Sequence, residues 1–423
     1  RWMKLIVNRH KILKIVIFLL VTICFSNCTV FRYVYVRPQF WWLLIVLTLC
    51  LTSLKIMKDG NSIKIYTIFL CFILISYFLS NYKPEMQKYI WVMILIFVLY
   101  SVKFSEDDLS FFLKLCGWVS TFIACTIIIE YFFNNFCTTY LWFLGTPYPF
   151  ERASLIAQKN AELAIQAYSG VAYEKADAGY YMVIGIVVRL SNAFAQKKLK
   201  HPDILLIILY LIAIILSGKR MLLLCAALII FIMFLISQEK NKILKILKWT
   251  AILFICLFLI SRVPIVEHMI NRFLSAASGD DGALLERYVK WNYAFLLFEI
   301  KPFIGHGFGT YNEAAVQVGY AASFFAHNIY IELLADCGII GTLLFIVLAA
   351  YNLWAAFDLC YLKRNVLTKV ELKLIVFSLA MQLLILIYGI SGNTIFYVFQ
   401  LMMYMFCFVI TSQVRRNIKK TIL

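Results

Sequence analysis

The sequence predicts an all-α polytopic membrane protein, a transmembrane helix bundle of about 12 spans with two long external loops. Three observations carry that prediction. Of 423 residues, 63% are hydrophobic, 17% aromatic and only 15% charged, which excludes an ordinary soluble domain. Apolar runs recur along the whole length, each long enough to cross about 30 Å of hydrocarbon as a helix. Lipid offers no partner to a backbone N–H or C=O, so such runs form helices or a closed barrel. Leu, Ile, Phe and Val without period-two alternation select helices.

Taken in order, the spans fall at 12–30, 39–54, 63–80, 89–103, 111–133, 178–196, 203–217, 220–237, 244–262, 329–357, 371–391 and 394–412. The first run has no small-residue cleavage site and reads as a retained span, not a signal peptide. The tenth is long enough to begin with an external or tilted turn. In connections counted alternately, one side holds 25 Lys and Arg and the other 14, with Arg189 inside a span. The richer side is cytoplasmic by the positive-inside rule, which places both termini in the cytoplasm. The net charge of +18 is then orientation charge, and no nucleic-acid partner is expected. Twelve cysteines lie almost all within apolar runs and no CxxC occurs, so they read as small buried hydrophobes, with Cys137 facing outward.

The chain reads as one integral membrane domain, 1–423, without internal repeats. Two connections, 134–177 and 263–328, are much longer than the rest, and both fall on the external side, where function is expected. Within the second, ALLERYVKWNYAFLLFEI (Ala283 to Ile300) has the pattern of an amphipathic helix lying on the membrane surface or the bundle top.

The segment from Pro302 to Gly341 is the strongest anomaly. Gly305, Gly307 and Gly309 alternate in a polar loop, and His327-Asn328 then leads into a hydrophobic helix interrupted at Gly338 and Gly341. The glycines suit a tight turn and close backbone approach. An imidazole at His327 can take a proton from a sugar hydroxyl, and the alternative is a structural hydrogen-bonding partner. His306 could join it at a metal, but no ligand spacing supports one, so neither metal nor cofactor is expected.

Lys219-Arg220, in the short SGKR connection, puts positive charge on the external face against the orientation rule. One reading is a phosphate site, with a bidentate guanidinium, a lysine point charge and a helix N-terminus. The other is snorkelling to lipid headgroups. Arg287 and Lys290 are three apart and share a helix face. A solvated face balanced by Glu286 and Glu299 is preferred for Lys290 and Lys301, while for Arg287 the choice is closer. In the first loop Glu174, Lys175 and Asp177 could orient an acceptor. Tyr168, Tyr173 and Tyr180 could stack on sugars, or form an interfacial aromatic belt with solvated charges. Arg152 is a weaker phosphate candidate.

SGKR opening a span, ERYVKW in a long external loop, PFIGHGFGT and HNIYIELLADCGIIG together resemble the O-antigen ligase/polymerase superfamily. Its members are bacterial membrane glycosyltransferases acting on undecaprenyl-diphosphate-linked glycans. The specific part runs from Arg220 to Gly341. GVAYEKADAGYY looks like a degenerate form of the family's earlier glycine-containing segment, with Tyr168 where an arginine is expected. The resemblance implies a GT-C-like bundle in the bacterial inner membrane with a periplasmic active site. It makes Arg220 and Arg287 the diphosphate-binding arginines and His327 the catalytic or acceptor-orienting residue. Lys219, Glu174, Tyr173, Asn328, Arg152 and Gly307 complete the expected substrate-binding set. The implied partners are lipid-linked glycan donor and acceptor, membrane lipid and a chain-length regulator protein. Polymerase is the expected activity, with ligase transferring glycan to lipid A–core as the alternative. A lipid-linked sugar transporter would instead show repeated halves and ionisable residues near the midplane.

Overall fold

Backbone groups placed in hydrocarbon must pair within the chain, and in the computed structural model they do so as helices. The structure describes residues 2–29, 31, 38–52, 60–134, 136, 149–237, 282–320 and 325–422. Among them there is no strand, only an isolated bridge between Cys28 and Ala172. In chain order the helices are α1 (Trp2–Cys24), α2 (Pro38–Leu51), α3 (Asn61–Leu79), α4 (Lys83–Leu99), α5 (Glu106–Phe132), α6 (Pro149–Ala164) and α7 (Lys175–Gln196). There follow α8 (His201–Leu216), α9 (Arg220–Ile236), α10 (Gly282–Ile300), α11 (Tyr311–Gln317), α12 (Ile329–Phe357), α13 (Lys369–Tyr388) and α14 (Val398–Ile422).

Six of the described helices, α3, α5, α7, α12, α13 and α14, are long and apolar enough to cross a membrane, and α2, α8 and α9 contain shorter apolar stretches. The expected span at 244–262 lies outside the described residues. Parts of both long loops lie outside them too.

Sequence sets where these helices begin. Ser105 and Asp108 form a reciprocal capping box on α5, and Thr368 and Glu371 do the same on α13. The two starts adjoin, since the Thr368 hydroxyl donates to Glu106 at 3.2 Å. Pro84 and Pro202 sit in the first turns of α4 and α8, where a missing N–H costs nothing.

Burial sorts the helices into layers. On α14 every side chain from Leu401 to Ile410 is buried, and α13 and α7 are nearly as enclosed. Around this centre α3, α5 and α12 turn apolar side chains outward, among them Phe78, Trp118 and Trp354, as a lipid-facing surface requires. Buried polar groups are tied between helices. Ser378 of α13 donates to the Cys407 carbonyl of α14 at 2.8 Å. Arg189, the cation inside an expected span, pairs with Asp203 of α8 at 3.6 Å.

The α12 helix breaks where the sequence places a break. Gly338 has φ of 59° and interrupts the helical path. The loop after α10 fills the interruption: Ile339 donates to the Pro302 carbonyl at 2.8 Å, and Gly307 donates to the Asp336 carbonyl at 2.7 Å. Any Cβ on Gly338 would collide with the Phe303 backbone, and one on Gly305 with the Asp336 backbone. These two glycines therefore permit a backbone-to-backbone approach that no other residue allows. The Asp336 carboxylate accepts from the Gly309 amide at 2.6 Å and fixes the loop to the helix.

Candidate active site

The SGKR turn closes α8 and opens α9. Gly218 adopts φ of 67°, and Lys219 becomes the residue preceding α9, with Arg220 its first helical residue. Both side chains are half-buried. The first loop docks here, because the Tyr168 amide donates to the Leu216 carbonyl at 3.0 Å.

Loop 166–174 is held from within by charges that sequence reading left aside. Buried Lys159 of α6 donates to the carbonyls of Gly170 and Ala172, each at 2.8 Å, and to the Ser169 hydroxyl. Glu130 accepts from the amides of Ser169 and Gly170 at 2.9 and 2.6 Å, while Glu162 accepts from the Lys175 amide at 2.8 Å. An acid–base lattice of this kind fixes a loop whose backbone has no ladder of its own.

The lattice presents Glu174, directly before α7. Burial raises its carboxyl above the ordinary range, Lys219 opposes that shift, and Glu162 reinforces it. The Tyr397 hydroxyl donates to Glu174 at 3.4 Å, and the Tyr397 ring lies 5.4 Å from that of Phe325. Two residues beyond Phe325 comes His327.

His327 holds a left-handed backbone with φ of 57°. A residue other than glycine adopts that region at a cost, smallest for Asn, Asp and His, and such conformations cluster at functional sites. Its Nδ1 is 3.2 Å from the side-chain nitrogen of Asn393. Burial, then the charges of Lys290, Arg287 and Lys219, push the imidazole pKa down to about 4, with Glu286 opposing. At neutral pH the ring is uncharged and stands in a field of three cations.

Arg287 and Lys290 reach it from α10, where their three-residue spacing places them on one face as expected. Lys290 is a correction to the solvated reading: its side chain is buried, and its ammonium is 2.7 Å from Glu286. The indole of Trp291 donates to the Ala326 carbonyl at 2.9 Å, and the Tyr311 hydroxyl donates to the Lys290 carbonyl at 2.7 Å. Those bonds stitch α10 to the segment carrying His327.

Lys219, Arg287, Glu174 and His327 thus share one end of the bundle, with Arg220 next to Lys219. Other expected site residues have different surroundings. Asn328 caps α12, its side chain accepting from Tyr330 and Ile331 at 3.0 and 3.2 Å. Gly307 is buried against Met86 and Ser80. Tyr173 packs on Leu155, and its amide donates to Asn27 at 2.7 Å. Tyr180 is fully buried against Phe399, so it cannot stack on a sugar, and Tyr168 packs edge-on to Tyr131. The side chain of Arg152 lies outside the described residues. His306 is buried with its Nε2 3.0 Å from the Leu297 carbonyl.

Sequence reading missed Asn393 and Tyr397. Their signal was Ser391-Gly392-Asn393-Thr394, a polar tetrad between two apolar spans. Among the described residues no cluster of His, Cys, Asp or Glu could hold a metal ion.

Fold and site together define a multi-pass helical membrane protein with a cationic site around a histidine at one end of its bundle. Residues 205–346, from α8 into the second half of α12, match the family model described as O-antigen ligase. The match supports the resemblance to the O-antigen ligase/polymerase superfamily over that stretch. No curated protein matches the chain.

Proposed function

We propose that the chain is a metal-independent glycosyltransferase that polymerises undecaprenyl-diphosphate-linked repeat units on the external face of the bacterial inner membrane. The observation that carries this reading is that Lys219, Arg287 and Lys290 share one end of the bundle with His327, near enough for their charges to hold its imidazole neutral. Breaking the bond from the anomeric carbon to the lipid diphosphate leaves negative charge on the departing phosphate. Arg220 and Arg287, aided by Lys219, offset that charge at the position a metal occupies in many soluble glycosyltransferases. An acceptor hydroxyl attacks the anomeric carbon from the opposite face, which inverts configuration. His327 takes the hydroxyl proton or holds the oxygen in line.

Asn393 decides which. With its amide nitrogen toward Nδ1, the ring proton sits on Nε2 and the imidazole can only donate to the acceptor. With its amide oxygen there, the proton sits on Nδ1 and Nε2 is a base. Glu174, held protonated more readily than an ordinary carboxylate, is placed to accept from or donate to acceptor hydroxyls.

The family description favours a second reading, ligase, which shares the donor chemistry and differs only in acceptor. The divergent, aromatic first loop suits an acceptor particular to one glycan and favours polymerase. Deleting the protein separates them: single-repeat glycan on the final acceptor means polymerase, and polymer stranded on undecaprenyl diphosphate means ligase. Arg220→Ala is expected to abolish product while the protein still inserts; normal long-chain product in that variant would sink the phosphate role. Turnover is expected to persist in chelator, and activity that returns only with added divalent cation would refute the arginine account.

A further inference from the structure

The opposite end of the bundle carries its own concentration of charge. Helices α3, α12 and α14 run from the candidate site to this end, about 25–30 Å away at 1.5 Å per residue. There the sequence NSIK opens α3, YNLWAA closes α12, and TSQVRR lies near the end of α14. These segments line a half-open cavity of about 150 Å³, whose lining includes Asn61, Lys64, Tyr351, Ser412, Arg415 and Arg416. Three cations line it and, among the described residues, no carboxylate does.

The two arginines are held in place. Arg415 donates to the Tyr351 hydroxyl at 2.8 Å, which uses one of its five N–H groups. Arg416 donates to the Tyr100 carbonyl at 3.1 Å and to Gln413 at 3.0 Å, so its guanidinium plane is fixed. Lys64 stands on the first turn of α3, three residues from Asn61, and both are exposed at the rim. Gly60 precedes α3 and has no side chain to cap its first amides, so the positive end of that helix dipole faces the same space. Ser62, at the floor, donates to Asn352 at 2.7 Å, which ties α3 to α12 beneath the cavity.

Snorkelling explains cations that reach outward to headgroups one by one. It does not explain three that converge, with hydroxyl and amide donors, on one concavity between helices. We infer that this cavity is a second anion site, taking a phosphate group at the end of the bundle remote from His327. The positive-inside rule makes this the cytoplasmic end, where a basic pocket between transmembrane helices suits the headgroup of an anionic phospholipid. A free phosphate offers the same oxygens. The inference stands whether or not the proposed reaction is right.

Thermal unfolding of the full chain in neutral detergent tests it, with phosphatidylglycerol, inorganic phosphate at constant ionic strength, or diacylglycerol as the uncharged control. The expected result is stabilisation by phosphatidylglycerol but not by diacylglycerol, with apparent affinity about tenfold weaker in Lys64→Gln/Arg415→Gln. Arg220→Ala should keep the response, which separates this site from the candidate active site. If the double variant does not fold, Lys64→Gln alone, altered only at the exposed rim, must still weaken binding measurably. A matching response to inorganic phosphate assigns a free-anion site, and its absence assigns a lipid site. Equal stabilisation in the substituted and unsubstituted chains, or none from either anion, overturns the inference.

Discussion

Two histidines twenty-one positions apart, His306 and His327, lie in the same anomalous segment, and the structure gives them opposite surroundings. His306 sits within the glycine loop that plugs the break in α12, its ring against a carbonyl of α10 and its own carbonyl accepting from Ser80 at 2.6 Å. His327 sits outside the plug in a strained backbone conformation, neutral among cations, with Asn393 as its partner. The difference teaches that the glycine-rich part of the segment is scaffolding. The proposed chemistry is concentrated where the chain leaves the scaffold and starts α12.

The comparison breaks most visibly through activity. His327→Ala is expected to lower kcat by about 10²–10⁴-fold, the usual range for a lost acid–base group, with only a small fall in melting temperature, because alanine takes the left-handed backbone no more readily than histidine. Near-wild-type turnover would remove His327 from the reaction. Gly305→Ala attacks the scaffold instead. A methyl group there meets the Asp336 backbone, so a loss of roughly 2–4 kcal/mol in stability is expected, read as a fall in thermal midpoint or in folded yield. Unchanged stability would mean that the loop does not plug the helix break. His306→Gln should cost about 1–2 kcal/mol of stability and leave kcat per folded molecule nearly unchanged. A selective loss of kcat would erase the distinction between the two histidines.

Much of this was legible in the chain. Apolar runs disclosed the helices because lipid leaves the backbone no alternative, and paired glycines disclosed the break in α12 because only glycine permits that approach. Arg287 and Lys290 could be put on one face from their spacing alone. What could not be read was which face. The burial of Lys290 depends on α10 packing against α11 and α12, and nothing local distinguishes it from a solvated lysine. Asn393 lies 66 positions from His327, and Tyr397 lies 223 from Glu174. A periodicity argument reaches only along one element, so partners supplied by distant connections stay invisible until the bundle closes. Asn328 and Gly307 show the converse, since the structure gives them helix-capping and close-packing roles that composition does not distinguish from ligand binding.

The finest test of the comparison is the protonation of His327. In the proposed reaction neutral imidazole is the active form, and its pKa of about 4 lies below the ordinary 6.5 because of burial and then Lys290, Arg287 and Lys219. A depressed pKa means that the neutral form is complete at pH 7 and is lost only as pH falls through about 4. The acid limb of kcat/KM, which reports the free enzyme, should therefore lie well below the ordinary histidine range. Lys290→Gln removes the leading charge and leaves the Glu286 carboxylate without its 2.7 Å partner, and both changes favour imidazolium. The limb should move upward by about one pH unit or less, with the plateau less affected than in His327→Ala. An acid limb that stays fixed in Lys290→Gln would mean either that another group titrates or that the α10 cations do not act on His327. In the second case the site would lose the electrostatic link that joins its two loops.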